Sequence, residues 1–546
     1  MAWRPAPSWY HLSSFPWPKS INHDLHPTGS QILQYCNAAA DALKLDVRLN
    51  TEVLSVERVD KGTDEGAGGG WRLRLSVKAG AADGAATQEK VVYDRIVVCI
   101  GQYGAAQKRR LATLLPAPGS GLLLSCTVRG AELPGEAEFV AACGRVVSES
   151  DLHEDPGAVL RGRRVAVVGF GKTALDIVML ARTYGAAVPV QHVFRSARWA
   201  IPRYIAGLHF MHLLFMRAST AMIPAWGQPF ALERLLHAGA GLVVSLFWRM
   251  IGAIVTAQHI FDAARPLPAL APKQPQPPTA ASKFCGFAAG PVVNVTASSA
   301  AGAAAAAGAA AAAAARRRRM ELVTRPAEPI RAALRSSLGI MPVGYVAEVA
   351  AGRVEPTRGE VTGLVGGGAS APGQEGGKGR GCAWRTAAWC TLMWSAVEAD
   401  PDGVQLYRHV LLPGETSLAF NGTNTCFMHV TATEAGALWL AALWRGEMEL
   451  PPVAEMRAAV EQVRSWKRQH CLFEATRLSG TNARFQQYID TMLKDVGVSP
   501  YRRLPNLLSE VLIYYTAGDY AGMVDEYLRS RKRSGARKLR PLPVAM

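Results

Sequence analysis

The stretch Val165-Ala-Val-Val-Gly-Phe-Gly-Lys-Thr-Ala-Leu-Asp176 decides how this chain is read. Four apolar, mostly β-branched residues lead into Gly169-x-Gly171-x-x-Ala174, and a helical pattern, Lys172 to Tyr184, follows at once. A buried strand that feeds a glycine turn and then a helix is the arrangement that holds a dinucleotide pyrophosphate. Gly169 makes the tight turn, and Gly171 lets the backbone approach the anion. Ala174 lets helix and strand pack, and the helix N-terminus at Lys172 and Thr173 offers unpaired N–H groups. The alternative is a plain glycine turn in an ordinary βα unit.

The following strand, Val188 to Phe194, ends at Arg195-Ser196-Ala197-Arg198. An NAD site usually places Asp or Glu near this strand end, to accept from the ribose 2′-hydroxyl. No acid stands here, and Arg195 sits where a guanidinium can pair with a 2′-phosphate. The residues therefore read as an NADP(H) site, with solvated loop cations as the alternative for Arg195 and Arg198.

The chain has 546 residues, 49% hydrophobic and 19% charged, which suits a globular enzyme of two or more domains and excludes a disordered chain. The net charge of +17 does not point to specific nucleic-acid binding, because much of it lies in two segments. One is Arg316 to Arg319. The other is the C-terminal cluster Arg529, Arg531, Lys532, Arg533, Arg537, Lys538 and Arg540, expected to be solvated tail. The nine cysteines contain no C-x-x-C pair, so neither a metal site nor a dithiol centre is indicated. Their odd number, and an N-terminus without an apolar signal core, point to reduced thiols in an intracellular, cytoplasmic protein.

Along the chain, Gln31 to Ala42 reads as a helix, Val47 to Arg58 as strand, Trp71 to Val77 as half of a hairpin, and Tyr93 to Gly101 as a buried strand. His237 to Ala257 is apolar and close to membrane-spanning length, but Arg249 interrupts it. A buried or membrane-peripheral helix is expected there. The division of the chain is expected to be 1–159, the first part of an FAD-binding domain; 160–262, a Rossmann-like NADP domain with apolar helices; and 263–320, a disordered low-complexity insertion. Then come 321–383, the rest of the insert with a Gly-rich linker; 384–528, the returning FAD-domain part; and 529–546, a basic disordered tail.

Taken together, several segments resemble the flavin-containing monooxygenase family, in particular its plant-type branch. Ser13-Ser-Phe-Pro-Trp-Pro18 is similar to an F-P-W-P segment, Val97-Val-Cys-Ile-Gly101 to the strand leaving the flavin domain, and Val165 to Asp176 to the second glycine motif. Val193 to Pro202 resembles the R-x-x-x-W-x-x-P that follows it. Leu406 to Val410, Ser417 to Gly422, Thr433-Glu434 with Trp439, Tyr488 to Gly497, and Asp519-Tyr520 resemble the late segments that return to the flavin. The resemblance implies an α/β flavoprotein with two dinucleotide-binding domains, the NADP domain inserted in the FAD domain. It implies FAD and NADP as cofactors, and transfer of one oxygen atom of O₂ to a small organic substrate, either a nitrogen or sulfur nucleophile or a carbonyl. By resemblance alone, Val53, Gly101, Gln102, Asn421 and Gly422 face the FAD. Glu434 either orients a ribose or caps a helix, capping being the stronger reading. The cofactor carries such chemistry, in keeping with the absence of a Ser/His/Asp or paired-carboxylate constellation, and no catalytic side chain is singled out. The resemblance also leaves association with the endoplasmic-reticulum membrane open.

The pattern breaks in three places. The family's first glycine motif is missing, as if the sequence opened past it. The F-x-G-x-x-x-H signature keeps Gly144 but has Ala142 and Ser148 at its other positions, and Gly-rich sequence followed by Trp384 to Asp402 stands where a late strand is expected. Poor FAD retention is therefore expected, with an impaired NADP-binding relic or regulatory protein as the alternative to a working enzyme.

Overall fold

The computed structural model describes residues 10–21, 27–59, 70–78, 86–99, 121–125, 135–141, 144–147, 149–152, 155–223, 235–237, 241–265, 301–326, 328–330, 339–359, 361, 363–365, 368–370, 405–423, 426–470, 484–534 and 537–541. Helix α1 (Gly29–Ala42) starts at Thr28, whose hydroxyl accepts from the Gln31 N–H while the Gln31 side chain accepts from the Thr28 N–H. Strands β1 (Thr51–Val59), β2 (Gly70–Val77) and β3 (Thr87–Tyr93) form an antiparallel sheet in the order β1-β2-β3. Trp71 of β2 is buried, and its indole N–H donates to Ser417 Oγ at 2.9 Å. Strand β4 (Ile96–Val98) runs parallel to a strand from more than three hundred residues later.

The glycine stretch lies at the centre of a larger sheet. Strands β5 (Gly121–Ser125), β6 (Arg145–Val147), β7 (Arg164–Val168) and β8 (Ala187–Phe194) belong to it, with helix α2 (Lys172–Thr183) between β7 and β8. Beyond β9 (Ala200–Pro202) come helices α3 (Leu242–Ala264) and α4 (Ala301–Thr324), strand β10 (Gly339–Met341), helix α5 (Tyr345–Ala350) and strand β11 (Val354–Arg358). The sheet order is β11-β8-β7-β5-β6, and every neighbouring pair is parallel. From β7 the chain steps outward to β8, and from β5 it steps outward the other way to β6. Gly169, which follows Val168, therefore sits at the topological switch point, where open α/β sheets bind ligands.

The last part of the chain supplies β12 (Leu418–Phe420), the partner of β4, and helices α6 (His429–Trp444), α7 (Val453–His470), α8 (Phe485–Asp495) and α9 (Met523–Ser534). Val56, Trp71, Leu418 and Phe420 form one core around β12, with Val53 packed against it. A larger core joins Phe210, Phe215, Trp248 and Ile251 to Tyr407, Trp439, Phe485, Tyr520 and Tyr527.

Three expectations change. A boundary at 159/160 would cut the parallel sheet, because β5 precedes it and pairs with β7, with β6 on the far side of β5. The low-complexity insertion ends in α4, a helix, because alanine and arginine are strong helix formers and the turn after them is anchored. There, Val323 is buried and the Arg319 Nε–H donates to the Val349 carbonyl at 3.1 Å. The basic tail is ordered in part: α9 runs to Ser534, and Leu539 exchanges backbone hydrogen bonds with Glu447 and Glu449 at 2.8 and 2.9 Å. Arg540 also pairs with Glu449 at 2.9 Å. The family-like positions Gly101, Gln102, Ala142 and Ser148, and the segment Trp384 to Asp402, lie outside the described residues.

Asp495, at the end of α8, is fully buried. It accepts from Arg408 Nε at 2.8 Å and from the Trp439 indole at 3.1 Å. That pair holds the left-handed residues Arg408 and His409 (φ 55° and 60°) against the core. Asp495→Ala leaves a buried guanidinium and an indole N–H without their acceptor, and is expected to cost about 3–5 kcal/mol in urea unfolding. A loss below about 1 kcal/mol would show that the pair behaves like an exposed one.

Candidate functional site

The turn after β7 is held from three directions. Gly169 has φ +114°, a conformation for glycine, and its N–H donates to the Val193 carbonyl of β8 at 2.9 Å. Its own carbonyl lies 2.6 Å from His192 Nε2. A Cβ at Gly169 would sit 3.8 Å from that of the fully buried Ala174, an ordinary contact, so the positive φ rather than crowding calls for glycine there. Between the two glycines, Phe170 turns inward. It stacks on His192 with ring centroids 5.4 Å apart and meets Phe194 edge-on at 4.6 Å.

His192 was not singled out in the sequence, and it organises this turn. It is fully buried, and its Nδ1 lies 2.7 Å from the hydroxyl of Tyr345, on α5. Since the Gly169 carbonyl can only accept, Nε2 carries the proton and donates, and Nδ1 accepts from Tyr345. Burial pushes the His192 pKa down to about 4, against the opposing pull of the Gly169 carbonyl. Burial likewise raises the Tyr345 hydroxyl above its ordinary range, so both groups stay neutral at physiological pH. A histidine inside a strand that otherwise alternates apolar residues was the available signal.

Gly171 is the N-cap of α2 at φ −79°, ψ 171°, and no side chain caps the helix there. Any residue can adopt that backbone, and a Cβ built on Gly171 meets nothing within 4 Å. Neither strain nor crowding inside the protein explains the glycine. Glycine serves as an N-cap residue there and leaves room for what approaches from outside, and uncapped N–H groups at a helix N-terminus suit an anion. Lys172 leans along the helix to pair with Asp176, so the turn's positive character comes from the backbone as much as from that side chain. Thr173 is half-buried in the same first turn.

Arg195 follows the end of β8 directly and is exposed. Its carbonyl accepts from Arg358 Nε, at the end of β11, at 3.2 Å. The register Val168↔Val193 places Arg195 at the same carboxyl edge of the sheet as the glycine turn. Gly169, Gly171, Lys172, Thr173, Ala174 and Arg195 therefore share one edge, and Arg358, which no sequence motif marks, joins them.

The residues assigned to a flavin by resemblance fall elsewhere. Asn421 and Gly422 follow β12, where the Asn421 N–H donates to the Val98 carbonyl at 3.0 Å. The Asn421 side chain donates to the Thr433 carbonyl at 2.9 Å and accepts from the Gly422 N–H at 3.0 Å. Gly422 has φ +72°, and a Cβ there would lie 3.6 Å from Thr433 Oγ1, a buried hydroxyl without a hydrogen-bond partner among the described residues. Val53 packs on the β12 core nearby. Glu434 does not cap a helix. It lies inside α6 and accepts from the Ser13 N–H at 2.7 Å and from the Ser14 N–H and hydroxyl at 3.2 and 2.9 Å. Among the described residues, no cluster of three or more His, Cys, Asp or Glu could hold a metal ion.

No family model matches the chain. It is 30% identical over 133 residues to the FAD-dependent monooxygenase DEP4 of Alternaria brassicicola, covering 23% of each chain. It is 27% identical over 263 residues to a probable flavin-containing monooxygenase 1 of Arabidopsis thaliana, covering 44% of each. The chain thus spans less than half the length of these curated relatives, and over those stretches it is similar to flavin-dependent monooxygenases. Among solved structures, S-allyl-L-cysteine S-oxygenase from Allium sativum aligns over 96% of this chain and 76% of its own, at 13% identity. Its TM-score of 0.42 is too low to carry an argument.

Two outcomes follow from the turn. Gly171→Ala is expected to cost at most about 1 kcal/mol of stability, as a weaker N-cap. The same variant should lower dinucleotide affinity about tenfold or more, read by equilibrium dialysis; unchanged affinity would mean that nothing docks there. For His192, the unfolded state takes up a proton near pH 6.5 that the folded state refuses until about 4. Its contribution is complete above pH 6.5 and is lost as pH falls through that window, by about 3 kcal/mol in all. Burial lowers the His259 pKa too, so the measurement is a comparison. Unfolding free energy should fall less between pH 7 and pH 5 in His192→Gln than in the parent protein.

Proposed function

We propose that this chain binds NADP(H) at the Gly169 turn and is an NADPH-dependent flavin monooxygenase. The observation that carries the reading is the uncapped α2 N-terminus behind Gly171, at the switch point of a parallel sheet. In this reading the N–H groups at Gly171, Lys172 and Thr173 hold the pyrophosphate, and Arg195 holds the 2′-phosphate. His192 and Tyr345 keep the turn in shape and touch no ligand.

The residues around Gly422 fit a second polar ligand. The turn leaves the carboxyl edge of a parallel strand pair, and the Thr433 hydroxyl beside it lacks a partner among the described residues. FAD is the group proposed there, with Val53 and Asn421 shaping the wall. A bound flavin supplies the chemistry that takes hydride from NADPH and hands one oxygen atom of O₂ to a substrate. The protein's part is to bind, orient and exclude water. The substrate proposed is a small organic nucleophile bearing nitrogen or sulfur, or a carbonyl compound. Similarity to FAD-dependent monooxygenases supports this class.

A second reading, NADP(H) binding without flavin chemistry, is favoured by the Gly169 turn, the one G-x-G-x-x-A among the described residues that follows a strand and opens a helix. Absorbance separates the two. The first expects a yellow protein with a flavin spectrum that oxidises NADPH, whereas a colourless protein that still binds NADPH supports the second. In either case Arg195→Ala should weaken NADPH about tenfold or more, with little change for NADH. Equal losses for both nucleotides would refute the 2′-phosphate assignment.

A further inference from the structure

Helix α3 has two unlike faces. On one, Val244, Trp248, Ile251, Gly252, Val255, His259 and Ala263 are buried. Trp248 donates its indole N–H to the Met222 carbonyl at 2.9 Å, and His259 Nε2 lies 2.8 Å from the Ala200 carbonyl of β9. On the other, large apolar side chains face solvent: Leu242 is 73% exposed, Leu246 66%, Ile260 59% and Phe261 55%. Met250 continues the row one turn beyond Leu246, and Ala253 and Ala257 bridge it to Ile260. The row runs from Leu242 to Phe261, most of the helix, about 29 Å at 1.5 Å per residue. Scattered exposed leucines are ordinary, but a continuous stripe marks an interaction surface.

Cations rim the stripe. Arg249 is exposed beside Met250 and makes no hydrogen bond or ion pair among the described residues. At the carboxyl end, Arg265 lies over the Phe261 ring at 4.9 Å, and Arg316 of α4 donates to the Ala263 carbonyl at 3.2 Å. That contact brings Arg317 and Arg318, both exposed, to the same end, with Arg317 paired to Glu321 at 3.1 Å. The one acid in α3, Asp262, is already engaged by the Gln258 side chain at 2.9 Å.

We propose that the outer face of α3, with Arg249, Arg265 and Arg316 to Arg318, is an in-plane docking surface for an anionic lipid bilayer. Helix α3 is long and apolar enough to cross a membrane by length and composition. Crossing, however, would strip its buried face from the core and break the Trp248 and His259 hydrogen bonds. Lying in the interface keeps them, sinks the stripe about 5–10 Å, and leaves the arginines at headgroup depth. A second copy of the chain fits less well. A two-fold contact would set the stripe against itself and bring like charges together, with Arg249 desolvated and no acid supplied to meet it.

The experiment is flotation of the full chain with vesicles of phosphatidylcholine containing about 30% phosphatidylserine, at about 0.1 M salt. The protein should float with these vesicles, float weakly with phosphatidylcholine alone, and lose most of its binding at about 0.5 M salt. Arg249→Ser with Arg318→Ser, and separately Leu246→Asp with Ile260→Asp, should each lower vesicle partition about tenfold. Circular dichroism melting curves matching the parent protein would show that both double variants are folded. Failure of the parent protein to float, or equal flotation of folded variants, overturns the proposal. So does a lipid-free dimer, seen by light scattering, that Leu246→Asp converts to monomer, because the stripe then belongs to a second copy.

Discussion

The hydrogen bond from His192 to the Gly169 carbonyl is the constraint on which the central sheet's ligand edge depends. It crosses from the second strand of the βαβ unit to the turn after the first, and Tyr345 of α5 holds the histidine from behind. Because the carbonyl is satisfied from the core side, the turn keeps its left-handed glycine without help from solvent. Phe170 closes the remaining space by stacking on the same ring. One neutral imidazole thus ties two strands, a helix and a turn. The surroundings that hold it neutral also keep water away from the turn's inner side.

How far the sequence revealed this varies by segment, for physical reasons. The β7–α2–β8 unit was legible because strand, turn and helix each obey a local rule, and the helix ends within a residue of where its pattern stops. β5 and β6 were not assigned to the sheet, because pairing between segments forty residues apart leaves no local trace. The helix over the alanine–arginine stretch is not legible from low complexity alone. Composition sets helix propensity, whereas packing rests on a few residues such as Val323. Of the site, the glycines and Arg195 could be read. The His192–Tyr345 contact could not, because it joins side chains 153 positions apart.

The strongly basic composition is answered piecemeal inside the fold. Arg217 is half-buried between Asp490 at 2.5 Å and Glu510 at 2.5 Å, with the Tyr515 ring 4.8 Å from its guanidinium. Arg182 and Arg353 converge on the buried Glu348, at 2.9 and 2.8 Å, and hold that carboxyl below its ordinary pKa against the cost of its own burial. Arg502 and Arg503 pair with Glu526 and Asp519. These pairs specify geometry more than they add stability.

The pairing of β4 with β12 also sets an order of events during synthesis. Val98 leaves the ribosome about 320 residues before Leu418, a delay of about 16–64 s at about 5–20 residues per second. Throughout that interval β4 has no partner strand among the described residues, while β5, β6, β7, β8 and β11 can already close their own sheet around the Gly169 turn. Ser13 and Ser14 wait longer still for Glu434, 421 and 420 positions away. The ligand edge of the parallel sheet can therefore be complete while the β4 edge is still open. That open edge is where a chaperone, or a neighbouring nascent chain, has time to act.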